Sequence, residues 1–198
     1  MKRALLGLMT GLVVGCTSAP GTNISELMER QGRVRTAQPP PGDSLIVFVR
    51  ADEDRAGTQA TIYEIADDGD HFVGVSSGST RLQWAMNPGT HLFMVLGEAA
   101  DFLRASVAPD KTYYMQVMPR FGFFKARFSF RPVRREELGG PEWMKWQQLE
   151  LVRCGIDCSS WVRSNVNSIQ RHKDEDLRQW LGTKSARISA GLLPEDGW

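Results

Sequence analysis

The stretch GFFKARFSFRPV, residues 122–133, alternates between apolar and polar side chains from its third residue onward. One face of an extended chain would carry Phe124, Ala126, Phe128 and Phe130. The opposite face would carry Lys125, Arg127, Ser129 and Arg131. A period of two residues is typical of a β-strand that packs one face inward and turns the other to water. The stretch therefore predicts a half-buried strand with a basic outer face.

Segments of the same character precede this strand along the chain. They are rich in β-branched and aromatic residues and occupy positions 44–50, 59–65, 71–75, 80–86, 91–96, 102–108 and 112–118. Turn signals rich in Asp, Asn, Gly, Ser and Pro separate them. This spacing predicts a mainly β domain over residues 44–138, either an antiparallel β-sandwich or a small barrel. The segment HLFMVL, residues 91–96, is apolar on both faces, which predicts a central strand or one whose outer face is covered.

The composition changes after Arg134, and residues 139–198 predict a helix-containing extension. Apolar positions recur at helical spacing between Ser160, a candidate N-cap, and Gly182, a candidate stop. Lys173 interrupts the apolar stripe, but its aliphatic stem can lie along it. Some 60 residues with one clear helix give little core of their own, so we expect a cap on the sheet rather than a separate domain. The C-terminal tail is expected to be ordered only if Trp198 docks.

The start of the chain has the features of a secretory signal. Lys2 and Arg3 precede an uncharged apolar run over residues 4–14, which is too short for a transmembrane helix. The run ends in Val13-Val14-Gly15-Cys16, which resembles the lipobox of bacterial lipoproteins, in which the cysteine is acylated. The resemblance implies a signal peptide over residues 1–15 and a lipid anchor at Cys16 that holds the protein to a bilayer.

The residues around the anchor predict a location and a tether. Thr17 is not the aspartate that retains lipoproteins at the inner membrane, so the resemblance implies the outer membrane, facing the periplasm. Residues 16–43 are polar, with a possible short helix at 24–29 and a stiff run of prolines at 39–41. We expect this segment to be a flexible tether.

The charge balance limits the classes of partner. Without residues 1–15 the chain has 22 Lys and Arg against 23 Asp and Glu, for a net charge of −1. A general nucleic-acid-binding protein would show a basic excess, so no nucleic-acid partner is expected.

The other two cysteines form the pattern CGIDC, residues 154–158. An even pair in an oxidising compartment favours a structural disulfide between Cys154 and Cys158. A reduced pair is the second interpretation, and a redox role the third, because a thioredoxin-like site has two intervening residues. A zinc site is disfavoured, since no nearby Cys or His supplies the remaining ligands.

Several motifs within the β region resemble a small domain of uncharacterised bacterial envelope lipoproteins. The matching residues are the Pro-Gly-x-His turn of Pro88, Gly89 and His91 and the Lys-Thr-Tyr-Tyr strand of residues 111–114. The likeness covers about residues 44–133. It implies a sandwich-like fold and an envelope location, and it implies no activity.

Few residues predict chemistry. His91 is expected to bond the backbone of its own turn, and His71 lies in an acidic turn that is expected to be solvated. The sequence contains no motif for a catalytic nucleophile, for a metal site or for a phosphate-binding loop. We therefore expect no catalytic activity, no bound metal and no cofactor. The alternative is an envelope enzyme or thiol redox factor that uses His91, His71 or the Cys154/Cys158 pair.

The basic face of residues 122–133 is the candidate binding surface. Lys125, Arg127 and Arg131, with Arg120 nearby, could contact an acidic protein, anionic lipid or the carboxylates of peptidoglycan. A solvated face that discourages strand pairing is the favoured interpretation of these charges. Together these observations predict a non-catalytic binding or structural component of the cell envelope, with another envelope protein or peptidoglycan as its partner.

Overall fold

The computed structural model describes residues 23–52, 58–120, 127–183 and 191–198. Within these ranges the chain forms ten β-strands, two α-helices and short 3-10 turns. The strands are β1 (Met28–Gly32), β2 (Ser44–Arg50), β3 (Ala60–Ala66), β4 (Gly69–Ser76), β5 (Thr80–Met86), β6 (Gly89–Leu96), β7 (Ala100–Val107), β8 (Thr112–Arg120), β9 (Arg127–Pro132) and β10 (Glu150–Cys154). The helices are α1 (Pro141–Gln147) and α2 (Cys158–Gly182).

The strands described form two sheets. The larger has the order β1-β10-β5-β2-β8-β9, and the smaller has the order β4-β3-β6-β7. Most neighbours are antiparallel, which confirms the predicted mainly β sandwich. The pairs β2–β8 and β10–β5 are parallel. A parallel β2–β8 pair is possible because the intervening chain crosses through the smaller sheet before it returns.

The predicted strands are found close to their expected bounds. Strands β2 and β5 coincide with the predicted segments 44–50 and 80–86. Phe128 and Phe130 of β9 are buried, as the alternating pattern predicts, while Arg127 on the opposite face is exposed. Ser129 was expected to face water, but it is buried on that same face, and its Oγ accepts a hydrogen bond from Arg120. Residues 121–126 of the predicted strand lie outside the described residues.

The main core lies between the two sheets. Phe48 of β2 is 1% exposed, and its ring lies 5.3 Å from that of Phe93 in β6 and 5.8 Å from that of Phe130 in β9. Ile46 and Met115 of the larger sheet are fully buried beside them. Burial of side chains of this size contributes about 2–3 kcal/mol each.

Helix α1 covers the outer face of the larger sheet. Trp146 is 2% exposed and packs with Val47 and Tyr114 of the central strands. Trp143 meets the Tyr114 ring edge-on, with 6.1 Å between the ring centroids. Both faces of β2 are therefore buried, which explains why all seven of its residues are apolar or small except the terminal Arg50.

Helix α2 covers the outer face of the smaller sheet. Its buried residues Ile169 and Trp180 pack with Tyr63, Met94 and Phe102. The prediction that residues 91–96 form a central strand with a covered outer face is thus confirmed.

Lys173 lies within the covered stripe of α2 and does not disrupt it. Its side chain is 14% exposed, and Nζ lies 2.7 Å from Oδ2 of Asp70 in β4. The stem is buried while the charge is paired, as expected for a lysine at this position. Helix α2 begins at Cys158, two residues before the predicted Ser160.

The segment expected to be a tether contributes to the sandwich. Residues 24–27 form a 3-10 turn, and β1 follows it as an edge strand paired with β10. The next residues are held by Arg81, which is fully buried and binds the carbonyl oxygen of Val34 and the hydroxyl of Thr36. The chain is therefore packed well before residue 43, because β10 supplies a partner that the local sequence of β1 does not reveal.

The C-terminal tail is docked. Leu192 is 1% exposed and forms an isolated parallel bridge with Ala105 of β7. Trp198 exchanges two backbone hydrogen bonds with Thr112 of β8, and its ring lies 6.1 Å from that of Trp143. Residues 139–198 thus contribute to both sheets, and β10 lies between β1 and β5 inside the larger one, so this segment is built into the sandwich.

Candidate functional site

A groove of about 720 Å³ lies between two sheet edges and one end of α2. Strand β9 is an edge of the larger sheet, and β7 is an edge of the smaller sheet. The C-terminal half of α2 forms the third wall through Asp176, Gln179, Trp180 and Thr183. The groove has the size of typical ligand-binding pockets, which are about 300–1,000 Å³.

The groove brings together two of the three predicted binding residues. Arg127 is about half exposed, and its Nη2 lies 3.1 Å from Oε1 of Glu98. Arg131 has similar exposure, and its Nη1 lies 2.8 Å from Oε2 of Glu137. Lys125 lies outside the described residues. The predicted basic face therefore borders a cavity, and its two described cations are paired with acidic groups of the same chain.

Arg120 adds a third cation to the groove. It stands directly opposite Arg127 in the β8–β9 ladder, and its Nε donates a 2.5 Å hydrogen bond to Oγ of Ser129. Like charges directly opposite one another destabilise an antiparallel pair. Within the described residues Arg120 has no acidic partner, so this corner of the groove has an excess of positive charge.

Glu137 shows how the charges at the rim are arranged. Burial alone would raise the pKa of its carboxyl group. Hydrogen bonds from the backbone N–H of Arg134 and from the side chain of Arg131 outweigh burial and lower the pKa below its ordinary value. Glu137 therefore holds Arg131 in position over a wide pH range.

Trp180 contributes an unpaired hydrogen-bond donor. The residue lines the groove and is 5% exposed, with its ring 5.9 Å from that of Phe102. Its indole N–H has no acceptor among the described residues. Buried indole N–H groups usually find an acceptor. Because that N–H is enclosed by the protein, the guanidinium groups are the donors that the groove offers, and they favour a ligand rich in acceptors.

His91 belongs to a polar cluster away from the groove. Its Nδ1 lies 2.5 Å from Oε1 of Glu64, and its Nε2 lies 2.9 Å from the carbonyl oxygen of Asn87. Trp84 of the larger sheet donates a 2.7 Å hydrogen bond to the other carboxylate oxygen of Glu64. The contact with the turn backbone is the one that the sequence predicts. Both ring nitrogens are engaged, so the imidazole has no free nitrogen for a substrate in this arrangement.

The pKa shifts in this cluster are consistent with an ion pair. The hydrogen bond with Glu64 raises the pKa of His91, against the opposing effect of burial. The hydrogen bond with His91 lowers the pKa of Glu64, and the Trp84 N–H lowers it further. The cluster connects β5 of the larger sheet to β3 and β6 of the smaller one, which is a structural role.

The remaining predicted residues are not brought to one site. His71 and Asp68 lie 3.2 Å apart in an exposed turn, with side chains 43% and 78% exposed. Cys154 and Cys158 form a disulfide with Cα atoms 5.8 Å apart, which confirms the favoured prediction. The bond joins the end of β10 to the start of α2.

Four of the six tryptophans lie on the outer faces of the two sheets. Trp143 and Trp146 pack on the larger sheet, and Trp161 and Trp180 pack on the smaller one. These four side chains pack the two helices against the two sheets.

Among residues 23–52, 58–120, 127–183 and 191–198, no group of three or more His, Cys, Asp or Glu side chains is placed to hold a metal ion. In the same ranges, no helix is both long and apolar enough to cross a bilayer. Cys16, the predicted lipid anchor, lies outside the described residues.

No family model matches the sequence, and no curated protein is significantly similar to it.

Proposed function

We propose that this protein is a lipid-anchored, periplasm-facing lipoprotein that acts as a non-catalytic binding component of the bacterial envelope. The groove between β7, β9 and α2 is the observation that carries the proposal. Its arginines form a donor-rich surface beside a cavity of ligand size. The partner is an acidic envelope component, either a protein or peptidoglycan, and not a nucleic acid.

The anchor is proposed from the sequence at Cys16, and the fold limits how far the domain can lie from it. A 3-10 turn at Ile24–Leu27 already belongs to the fold, so seven residue steps lead from Cys16 to Asn23 just before it. An extended chain covers at most about 3.3–3.6 Å per residue, which gives about 25 Å. The groove would therefore work close to the membrane, and its partner must be reachable there.

Site-specific photo-crosslinking in cells tests both parts of the proposal. A photoreactive amino acid is introduced at Met118, which lines the groove and is 40% exposed. The matched control position is Val166, which is 52% exposed on α2 and does not line the groove. We expect a discrete adduct from position 118, none from position 166, and loss of both the adduct and incorporated fatty acid in Cys16→Ser. Fatty-acid labelling that persists in Cys16→Ser would refute the anchor, and identical adducts from both positions would refute the groove.

A further inference from the structure

We infer that the groove binds an extended acidic peptide, which adds to β9 as a further strand of the larger sheet. The inference rests on the proposed binding function and specifies the chemical class of the partner. It follows from the directions of the backbone groups on two edge strands and from the spacing of the charges beside them.

The free edge of β9 carries unpaired peptide groups. The backbone N–H of Val133 donates to the carbonyl oxygen of Tyr114 in β8 at 3.1 Å. Peptide groups alternate sides along a strand, so those of Phe128 and Phe130 face away from β8 and toward the groove. Neither residue's edge-facing N–H or C=O has a partner among the described residues. Such a row of groups is a template for strand addition.

The opposite wall shows this kind of pairing within the same molecule. Leu192 adds to the edge of β7, donating to the carbonyl oxygen of Arg104 at 3.0 Å and accepting from the N–H of Ser106 at 2.9 Å. By the same alternation, the peptide group of Ala100 faces this edge, and its N–H is bound by Asp176 at 2.7 Å. The edge of β7 is thus partly occupied, whereas the edge of β9 has no backbone partner among the described residues.

The charges select an acidic strand. Arg127, Ser129 and Arg131 share one face of β9, and the two arginines are separated by four residues, or about 13 Å along the strand. A peptide paired with β9 places its side chains directly beside this face, where opposite charges stabilise the pair. Arg120 lies across from Arg127 and has no acidic partner among the described residues. The matching peptide therefore has carboxylates at positions i and i+4.

The far wall of the groove directs such a peptide to β9. Asp176 lies on the α2 side, where its carboxylate would repel an acidic ligand. A peptide that pairs with β9 keeps its carboxylates on the arginine side of the groove.

Peptide-binding measurements on the full-length chain in detergent test the inference. The probe is a fluorescent nine-residue peptide, Thr-Val-Glu-Val-Thr-Val-Glu-Val-Thr, acetylated and amidated at its ends. One comparison peptide has the same composition with the second Glu moved by one residue, so that the two carboxylates point to opposite faces. Two more peptides keep the sequence, and each carries N-methyl groups on the alternate amides of one of its two edges. Inorganic polyphosphate offers charge without a peptide backbone.

We expect the probe to bind up to about fivefold more tightly than the shifted peptide. A peptide with N-methyl groups on the edge that faces β9 should not bind. A cross-strand ion pair contributes up to about 1 kcal/mol, so Arg127→Gln should weaken binding by up to about fivefold. Arg153→Gln removes a comparable exposed ion pair with Glu29 on a distant strand and should leave binding unchanged. Bound peptide should protect the amides of Phe128 and Phe130 from hydrogen exchange.

Each other outcome counts against the inference. Equal binding of the N-methylated peptides or of polyphosphate would show that charge alone is recognised. Protection of Phe102 in place of Phe128 and Phe130 would assign the peptide to β7. The absence of peptide binding overturns the inference but leaves the proposed function intact if position 118 still gives its Cys16-dependent adduct.

Discussion

Replacing His91 with Gln tests the polar cluster that connects the two sheets. The change keeps a polar side chain of similar size but removes the charge and the two-sided contact with Glu64 and the Asn87 carbonyl. Glu64 would keep only the indole N–H of Trp84 as a donor. A largely buried carboxylate that loses its cationic partner is destabilising.

The magnitude follows from the geometry and the burial. The side chains of His91 and Glu64 are 17% and 11% exposed. A hydrogen bond to a charged group contributes about 1.5–3 kcal/mol, and partial exposure places this pair toward the lower end of that range. We therefore expect a coupling energy of about 2 kcal/mol between the two residues at pH 5.5.

The pH dependence has a defined sign. Because the pKa of His91 is raised on folding, its contribution is complete below the unfolded value of about 6.5 and is lost as pH rises through the folded value. Because the pKa of Glu64 is lowered, its contribution is present above its ordinary value of 4.5 and is lost as pH falls through the folded value. The pair thus stabilises the fold most between these limits.

Urea denaturation of the wild type, His91→Gln, Glu64→Gln and the double variant measures the coupling at pH 5.5 and pH 9. We expect a clearly smaller coupling at pH 9. Arg153→Gln is the control, since its ion pair with Glu29 is exposed and lies on other strands, so that it should change stability by less than about 0.5 kcal/mol. A coupling below about 0.5 kcal/mol at pH 5.5, or equal couplings at both pH values, would refute the reasoning.

The remaining predictions concern the core, the disulfide and the C-terminal tail. Phe48→Ala should lower the free energy of unfolding by about 3–5 kcal/mol, because this ring is buried between both sheets; urea denaturation measures it, and a loss below about 1 kcal/mol would contradict the assigned packing. Replacing Cys154 and Cys158 with Ser should cost about 2 kcal/mol, since the bond closes a short loop; equal urea midpoints of oxidised and reduced wild type would argue against this. Arg134→Met should lower the free energy of unfolding by about 2 kcal/mol and speed proteolysis of the tail, because it removes the cation 2.6 Å from the buried carboxylate of Asp196. Unchanged cleavage would mean that this contact does not hold the tail.

The sequence predicts those parts of the fold that depend on residues close together along the chain. Runs of β-branched and aromatic residues between turn signals locate β2 through β9, because each of these strands buries at least one face. The Pro-Gly-x-His turn places the His91 ring near its own backbone, and the close spacing of Cys154 and Cys158 favours their bond. In each case the interacting groups are near neighbours in sequence, so no knowledge of topology is needed.

The remaining features depend on pairings between distant segments. Strand β1 has the sequence MERQG and buries little of its own surface, so nothing in its hydrophobic pattern marks it as a strand. It forms because β10, more than a hundred residues later, supplies its hydrogen bonds. The groove also depends on segments that are distant in sequence. The arginines of β9 can be identified from the sequence, but the sequence does not show that the edge of β7 faces them. Its position follows only once the order of strands in both sheets is known.

The arginines on β9 can both disfavour pairing of two copies of this edge strand and favour binding of an acidic partner. If two copies of this strand paired in antiparallel fashion about Ser129, Arg127 of each would lie opposite Arg131 of the other. Like charges would then meet twice in every such pair, which disfavours self-association through this edge. An acidic strand meets opposite charges at the same two positions. The interpretation of these residues as a guard against strand pairing is therefore compatible with a binding role, because the same charges that reject a second copy select an acidic partner.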